Sequence, residues 1–191
     1  MLAGKTVLVT GGGLGIGLGV TRKMIAAGAK VTVADIKRGG LDGAGLPEGS
    51  FAFLQGDMTV EADVERAIAF AVKSFGPLDC VVANVGGPAG ALGKIVDVAA
   101  DDFDAAVRIT LRSTFLAIKK GAAYFLAEQR PGVITTIGSI SAHAAGAGPG
   151  IYSAAKAAVV RLTQNAAAEL SAKRIRINSI SPGVILTELL R

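Results

Sequence analysis

The sequence predicts a doubly wound α/β domain on one parallel sheet, and three observations carry that reading. Short β-branched runs alternate with longer alanine-rich stretches along all 191 residues. The short runs are almost continuously apolar, as strands are when helices cover both faces of their sheet. A turn crowded with glycine, "GGGLGIGLG" at 11–19, separates the first run from the first long stretch. Alternating strands and helices join as βαβ units. Their right-handed crossovers put ligand sites at the carboxyl ends of the strands.

The strand candidates are "KTVLVT" (5–10), "KVTVAD" (30–35), "FAFLQGD" (51–57), "LDCVVAN" (78–84), "GVITTIGS" (132–139) and "IRINSIS" (175–181). Helices are expected near 15–27, 60–75, 100–127 and 151–171. For the second of these, Thr59 is the expected N-cap, Glu61 and Asp63 sit in the first turns, and Gly76-Pro77 is the stop. There is no linker, internal repeat or low-complexity tail, so residues 1–191 read as a single domain.

Composition narrows the class. Just over half the residues (51%) are apolar, ample for a core, yet no apolar run reaches the roughly 18 residues of a membrane span. The opening "MLAGKTVLVTGGG" passes straight into a strand pattern with no signal-like segment. The single Cys80 rules out an internal disulfide and fits a reducing compartment. A cytoplasmic protein without a membrane partner is therefore expected. The net charge of +5 and pI ≈ 9.6 invite a nucleic-acid reading. The densest basic groups (Lys37-Arg38, Lys119-Lys120, Lys173-Arg174) are short and lack interleaved aromatics, which speaks against it. A mildly basic surface also suits an anionic cofactor, and no metal site is expected.

A glycine turn between a strand and a helix lets backbone N–H groups approach a pyrophosphate at the helix N-terminus. Gly11, Gly15 and Gly17 are the positions assigned to that role. Asp35 ends the second strand, 18 residues beyond Gly17, near the interval at which a carboxylate meets the adenosine ribose hydroxyls. A carboxylate there accepts from the 2′- and 3′-OH and repels a 2′-phosphate. NAD is therefore expected as cofactor over NADP, with Lys37 and Arg38 close enough to soften the preference. The stretch "GIYSAAKAA" (150–158) puts Tyr152 and Lys156 four residues apart, on one helix face.

Six segments taken in order resemble the short-chain dehydrogenase/reductase family. "TGGGLGIG" (10–17) is similar to its Thr-Gly-x-x-x-Gly-x-Gly loop, Ile16 included. "GDM" (56–58) resembles its adenine-side segment, and "ANVGG" (83–87) its Asn-Asn-Ala-Gly stretch, with Asn84 and Gly86 matching and Ala83 and Val85 departing. "IGSIS" (137–141) resembles the end of its serine-bearing strand, "YSAAK" (152–156) its Tyr-x-x-x-Lys pattern, and "SPGVILT" (181–187) its nicotinamide-side loop. The resemblance implies a Rossmann-type sheet of strand order 3-2-1-4-5-6 and hydride transfer between NAD(H) and an alcohol or carbonyl substrate. It implies Tyr152 as acid/base, Lys156 favouring the tyrosinate and bonding the nicotinamide ribose, and Ser139 holding the substrate oxygen. It assigns the adenine amino group to Asp57 with help from the Met58 backbone, other cofactor contacts to Asn84 and Gly86, and the nicotinamide side to Pro182, Gly183 and Thr187. Homodimers or homotetramers, paired through the helices at 100–127 and 151–171, are a further implication.

The chain departs from the family in two places. Thr110 stands where the family carries an asparagine whose carbonyl holds a water in the proton relay, so Thr110 is a candidate catalytic position with an altered relay. Family members also continue beyond a position like Arg191, so a C-terminal substrate lid and last strand are expected to be absent from the chain. His143 and the face formed by Arg108, Arg112, Lys119 and Lys120 read as solvated, Tyr124 as packing or interface, and Ser141 as lining the substrate pocket. Two other readings stay open: a nucleotide-binding protein without catalysis, and an epimerase or dehydratase on the same fold. The segments 87–96 and 140–150 are small and apolar and hint at an apolar substrate of modest size.

Overall fold

The computed structural model describes residues 1–187. Six parallel strands, β1 (Thr6–Thr10), β2 (Lys30–Asp35), β3 (Phe51–Gln55), β4 (Cys80–Ala83), β5 (Gly132–Ile137) and β6 (Ile175–Ile180), form one sheet of order 3-2-1-4-5-6. The expected order is the one observed. The order reverses between β1 and β4, and that switch point opens a crevice at their carboxyl ends.

Strand alternation divides the core in two. Leu8 of β1 and Val81 of β4 face one side, with Val64 and Ile68 of α2 (Glu61–Phe75), Leu116 and Phe125 of α4 (Ser113–Ala127) and Ala166 of α5 (Gly150–Leu170). Val7, Val9, Val31 and Val33 face the other, with Leu18 and Ile25 of α1 (Gly15–Ala26) and with Leu41. Because both faces are covered, these strands need no polar positions, which explains their unbroken apolar runs.

Two expectations are corrected. Val60, not Thr59, precedes α2, and no side chain caps that helix. The Thr59 hydroxyl accepts instead from Arg108 Nε at 3.0 Å. The stop at Gly76 holds, with φ 87 and its N–H on Val72 O. The expected single helix over 100–127 is α3 (Ala100–Val107) and α4 joined by a π-helical turn, Arg108–Arg112. Just past the turn, the Ser113 hydroxyl donates to Ile109 O at 2.6 Å and the Thr114 hydroxyl to Thr110 O at 2.9 Å. Hydroxyls bonding back to the carbonyl four residues earlier bend a helix, and a π-turn absorbs the bend.

Candidate active site

The carboxyl ends of the strands open into a cleft of ≈ 820 Å³. Gly11, Gly15, Ile16, Asp35, Asp57, Met58, Asn84 and Gly86 line it from one end, and Ser139, Tyr152, Lys156, Pro182, Gly183 and Thr187 from the other. Of the residues expected to bind, react or line the pocket by their own side chains, Gly17, Thr110 and Ser141 stand behind the wall, and Ser141 is turned onto Ser139 instead of the cleft.

Gly17 explains the glycine loop. A Cβ there would lie 1.9 Å from Gly11 O and 2.6 Å from Asn84 Nδ2, so α1 sits directly on the turn it follows. Asn84 locks that turn by donating from Nδ2 to Gly11 O at 2.7 Å, while its N–H bonds Thr10 Oγ1 at 3.2 Å. Leu14, the residue before α1, offers no side-chain acceptor, which leaves first-turn N–H groups for an anion. This cradle fits the pyrophosphate of a dinucleotide. Gly17→Ala should gain under ~1 kcal/mol in helix propensity and lose about 1–3 kcal/mol by displacing Gly11. We expect a lower Tm together with loss of NADH binding, read by nucleotide fluorescence. Unchanged Tm and binding would remove the cradle from the account.

Asp35 is held by the loop it faces. Its Oδ2 accepts from Gly13 N at 3.0 Å and its Oδ1 from Lys37 N at 3.3 Å, which aims the carboxylate along the cleft edge. Asp57 is bound on both oxygens, by Thr59 N at 2.8 Å and Arg108 Nη2 at 3.2 Å. Burial raises its pKa, but the Thr59 and Arg108 contacts outweigh that and leave the group below the ordinary carboxylate value. Met58 packs in the core and also lines the cleft wall. Arg112 Nε donates to Thr59 O at 3.0 Å. Arg108 and Arg112 therefore clamp the 57–59 segment and are not merely a polar face. Their partners lie about fifty residues away in sequence (51 and 53), and local pattern carries no trace of such contacts.

At the other end Ser139, two residues past β5, has extended backbone (φ −164, ψ 153) and caps a 3₁₀ turn, Ile140–Ala142. Lys156 is only 3% exposed, donates from Nζ to Ile137 O at 2.6 Å, and sits 5.7 Å from the Tyr152 ring centroid. Burial lowers the Lys156 pKa to about 8. Burial also raises the Tyr152 phenol above its ordinary value, with the Ser139 hydroxyl pulling it back in part. Desolvation of the ring is the larger of these two causes. Ile140 N bonds Pro182 O at 2.9 Å and His143 Nε2 pairs with Ser181 Oγ at 3.1 Å, tying the 3₁₀ turn to the 181–187 loop.

Thr110 is fully buried in the π-turn. Its Oγ1 accepts from Gly87 N at 3.1 Å and donates to Gly87 O at 3.0 Å, fixing the segment beside Lys156. Its own carbonyl accepts the Thr114 hydroxyl. Thr110 stands as a brace of the Gly86-Gly87 wall. Tyr124 likewise packs, its hydroxyl accepting from Leu78 N at 3.1 Å.

Comparison with known proteins follows this geometry. A family model described as short chain dehydrogenase matches residues 5–191. (+)-Borneol dehydrogenase 2 of Salvia officinalis is 37% identical over 193 residues, covering 98% of this chain and 67% of that relative. Among solved structures, levodione reductase superposes with TM-score 0.92 at 30% identity, covering 100% of this chain and 75% of the other. A 3-ketoacyl-(acyl-carrier-protein) reductase from Brucella melitensis, complexed with NADH, superposes with TM-score 0.91 at 29% identity, covering 100% and 80%.

Proposed function

The chain belongs to the short chain dehydrogenase family, and within it we propose an oxidoreductase that uses NAD(H) to interconvert an alcohol and its ketone or aldehyde. One observation carries the reading: Ser139, Tyr152 and Lys156 line the same cleft as the Gly11–Ile16 loop and Asp35. A bound nicotinamide supplies or takes up the hydride at the reacting carbon. The residues of the chain manage the oxygen. In reduction the carbonyl π pair moves onto oxygen, which takes the Tyr152 proton while Ser139 holds it by hydrogen bond. In oxidation the tyrosinate takes the alcohol proton. Lys156, fixed on Ile137 O, sets its charge beside the ring and favours the anion as it forms.

Three features support NAD over NADP. Asp35 presents a carboxylate at the cleft edge, anchored on Gly13 and Lys37. Arg38, the nearest guanidinium in sequence, pairs through Nε with both Asp42 oxygens at 3.0 and 3.1 Å and lies over the Phe53 ring. Leu14 and Ile36, the other lining residues nearby, are apolar. Exposed apolar side chains close in sequence to lining residues support a modest apolar substrate: Leu92 lies three residues past Ala89, Ile140 follows Ser139, and Val184, Ile185 and Leu186 lie between Gly183 and Thr187. Exposed Phe103 of α3 and Phe115 of α4 give these helices apolar surface, which supports pairing of copies through them. No helix among the described residues is long and apolar enough to cross a membrane, and Cys80 supports a reducing, cytoplasmic setting.

Titration of the protein with NADH and NADPH, followed by nucleotide fluorescence, tests the cofactor assignment. NADH should bind more tightly, and Asp35→Ala should weaken it about tenfold, one hydrogen-bonded carboxylate contact's worth, while NADPH binding holds or improves. Preference for NADPH in the unaltered chain would overturn it. Thr110, standing where the family carries an asparagine and turned to bracing Gly87, favours one other reading, nucleotide binding without turnover. A panel of alcohols and carbonyls decides between the two, and turnover without net NADH change would point to an epimerase or dehydratase.

A further inference from the structure

One buried hydroxyl beside the reacting groups has no part in that scheme. Ser141, in the Ile140–Ala142 turn, is 5% exposed. Its backbone N–H donates to Ser139 Oγ at 3.2 Å, and its own hydroxyl donates to the same oxygen at 2.9 Å. Gly148 packs over it, a Cβ there falling 3.2 Å from Ser141 Cβ, so the side chain has little room to turn away. A serine hydroxyl has two lone pairs and one proton. Ser141 fills both acceptor positions of Ser139. The one remaining function of Ser139 is to donate, and it does so from the wall it shares with Tyr152.

We propose that Ser141 is a positioning residue that makes Ser139 a donor only, so that Ser139 and Tyr152 both direct a proton at one acceptor oxygen. The proposal rests on the reading of those two residues as the pair around the reacting oxygen. Were Ser139 free to accept, the neutral phenol could aim its O–H at serine, and that donor would be lost for the substrate. With that acceptor closed, the two donors match the two lone pairs of a carbonyl oxygen. In the reverse direction the same donor supports the tyrosinate. Hydrogen bonds in series polarise one another, so the Ser141 proton also strengthens the Ser139 donor.

The test needs neither substrate nor cofactor. The chain has two tyrosines and no tryptophan. In a Tyr124→Phe background, near-ultraviolet tyrosinate absorbance therefore reports Tyr152 alone, read just after a pH jump while the fold is intact. Lys156 faces the ring from its own helix. α3, packed on α5, brings Asp101, Asp102 and Asp104, and the π-turn brings Arg108 and Arg112, whose side chains reach toward Asp57 and Thr59. His143 ends the 3₁₀ turn. Asp35, on β2, is three strands from β5, about 14 Å away at the usual strand spacing. All of these are common to every variant compared.

Ser141→Ala should raise the Tyr152 midpoint by about half a pH unit, and Ser139→Ala by at least as much. Added to Ser139→Ala, the Ser141 change should have no further effect, because it acts through Ser139. Ser141→Cys, a weaker donor of similar size, should fall between serine and alanine. A wild-type midpoint in Ser141→Ala overturns the proposal, and so does a Ser141 effect that survives undiminished without Ser139. If the cycle behaves as expected but no carbonyl or alcohol is turned over, the positioning stands and the oxidoreductase reading falls.

Discussion

Tyr152→Phe is expected to lower kcat about 10³-fold and kcat/KM by the same factor, with NADH affinity within about twofold of the unaltered chain. Phenylalanine keeps the ring and its packing against the Lys156 ammonium, 5.7 Å from the centroid. What it removes is one O–H, which exchanges a proton only as the reaction proceeds. The hydrogen bond it gives the bound oxygen is small beside the proton it transfers in the transition state, so kcat carries nearly all of the loss and KM changes little. Steady-state rates on the best carbonyl of the panel, with parallel nucleotide titration, separate the two quantities. Retained turnover would move the acid elsewhere in the cleft. The raised phenol also sets a direction with pH. Reduction needs the neutral phenol and should be favoured at neutral pH, whereas oxidation needs the tyrosinate and should quicken as pH rises.

The periodic parts of this chain were legible and the long-range parts were not. Nearly continuous apolar runs placed the inner strands, because a strand covered on both faces leaves few polar positions to obscure the pattern, whereas β6 at the sheet edge alternates, with Arg176 and Asn178 exposed. Motif order placed Ser139, Tyr152, Lys156 and Asp35 on one cleft, because Asp35 and Ser139 sit at or just past strand ends and Tyr152 and Lys156 lie in the first two turns of α5. The π-turn at Arg108–Arg112 was hidden. It depends on hydroxyls at 113 and 114 choosing backbone carbonyls over solvent, which spacing does not encode. The Arg108 clamp on Asp57 was hidden for a similar reason. On a helix exposed along one side, an arginine that reaches a distant loop has the same local pattern as one in water. Desolvation of the Tyr152 ring was hidden too, because it depends on what covers the ring, while charge proximity can be read from i, i+4 spacing.

Lys156→Met should abolish turnover and, at pH 7, make the fold more stable by about 1–2 kcal/mol. Burial lowers the Lys156 pKa from 10.5 to about 8. Below pH 8 the native and unfolded chains both hold the proton, and the native state bears the full cost of an ammonium nearly out of water. Between about 8 and 10.5 the unfolded chain still holds a proton that the native chain has released. Native stability therefore rises with pH across that window, by up to about 3 kcal/mol. Methionine has a similar reach and no charge, so the variant escapes the cost at every pH. It gives up the 2.6 Å bond to Ile137 O, worth about 1 kcal/mol or somewhat more for a charged donor, which is why the net gain at pH 7 is smaller than the pH-dependent term. Urea unfolding of both proteins at pH 7 and pH 10 reads the difference. The variant should lead at pH 7, and the gap should narrow at pH 10 as wild type gains. A variant less stable at pH 7 would mean that the Ile137 bond outweighs desolvation, and Lys156 would then be a structural tie. A variant that is more stable yet inactive would separate the two roles: a buried ammonium that weakens the fold is kept for what its charge does beside Tyr152.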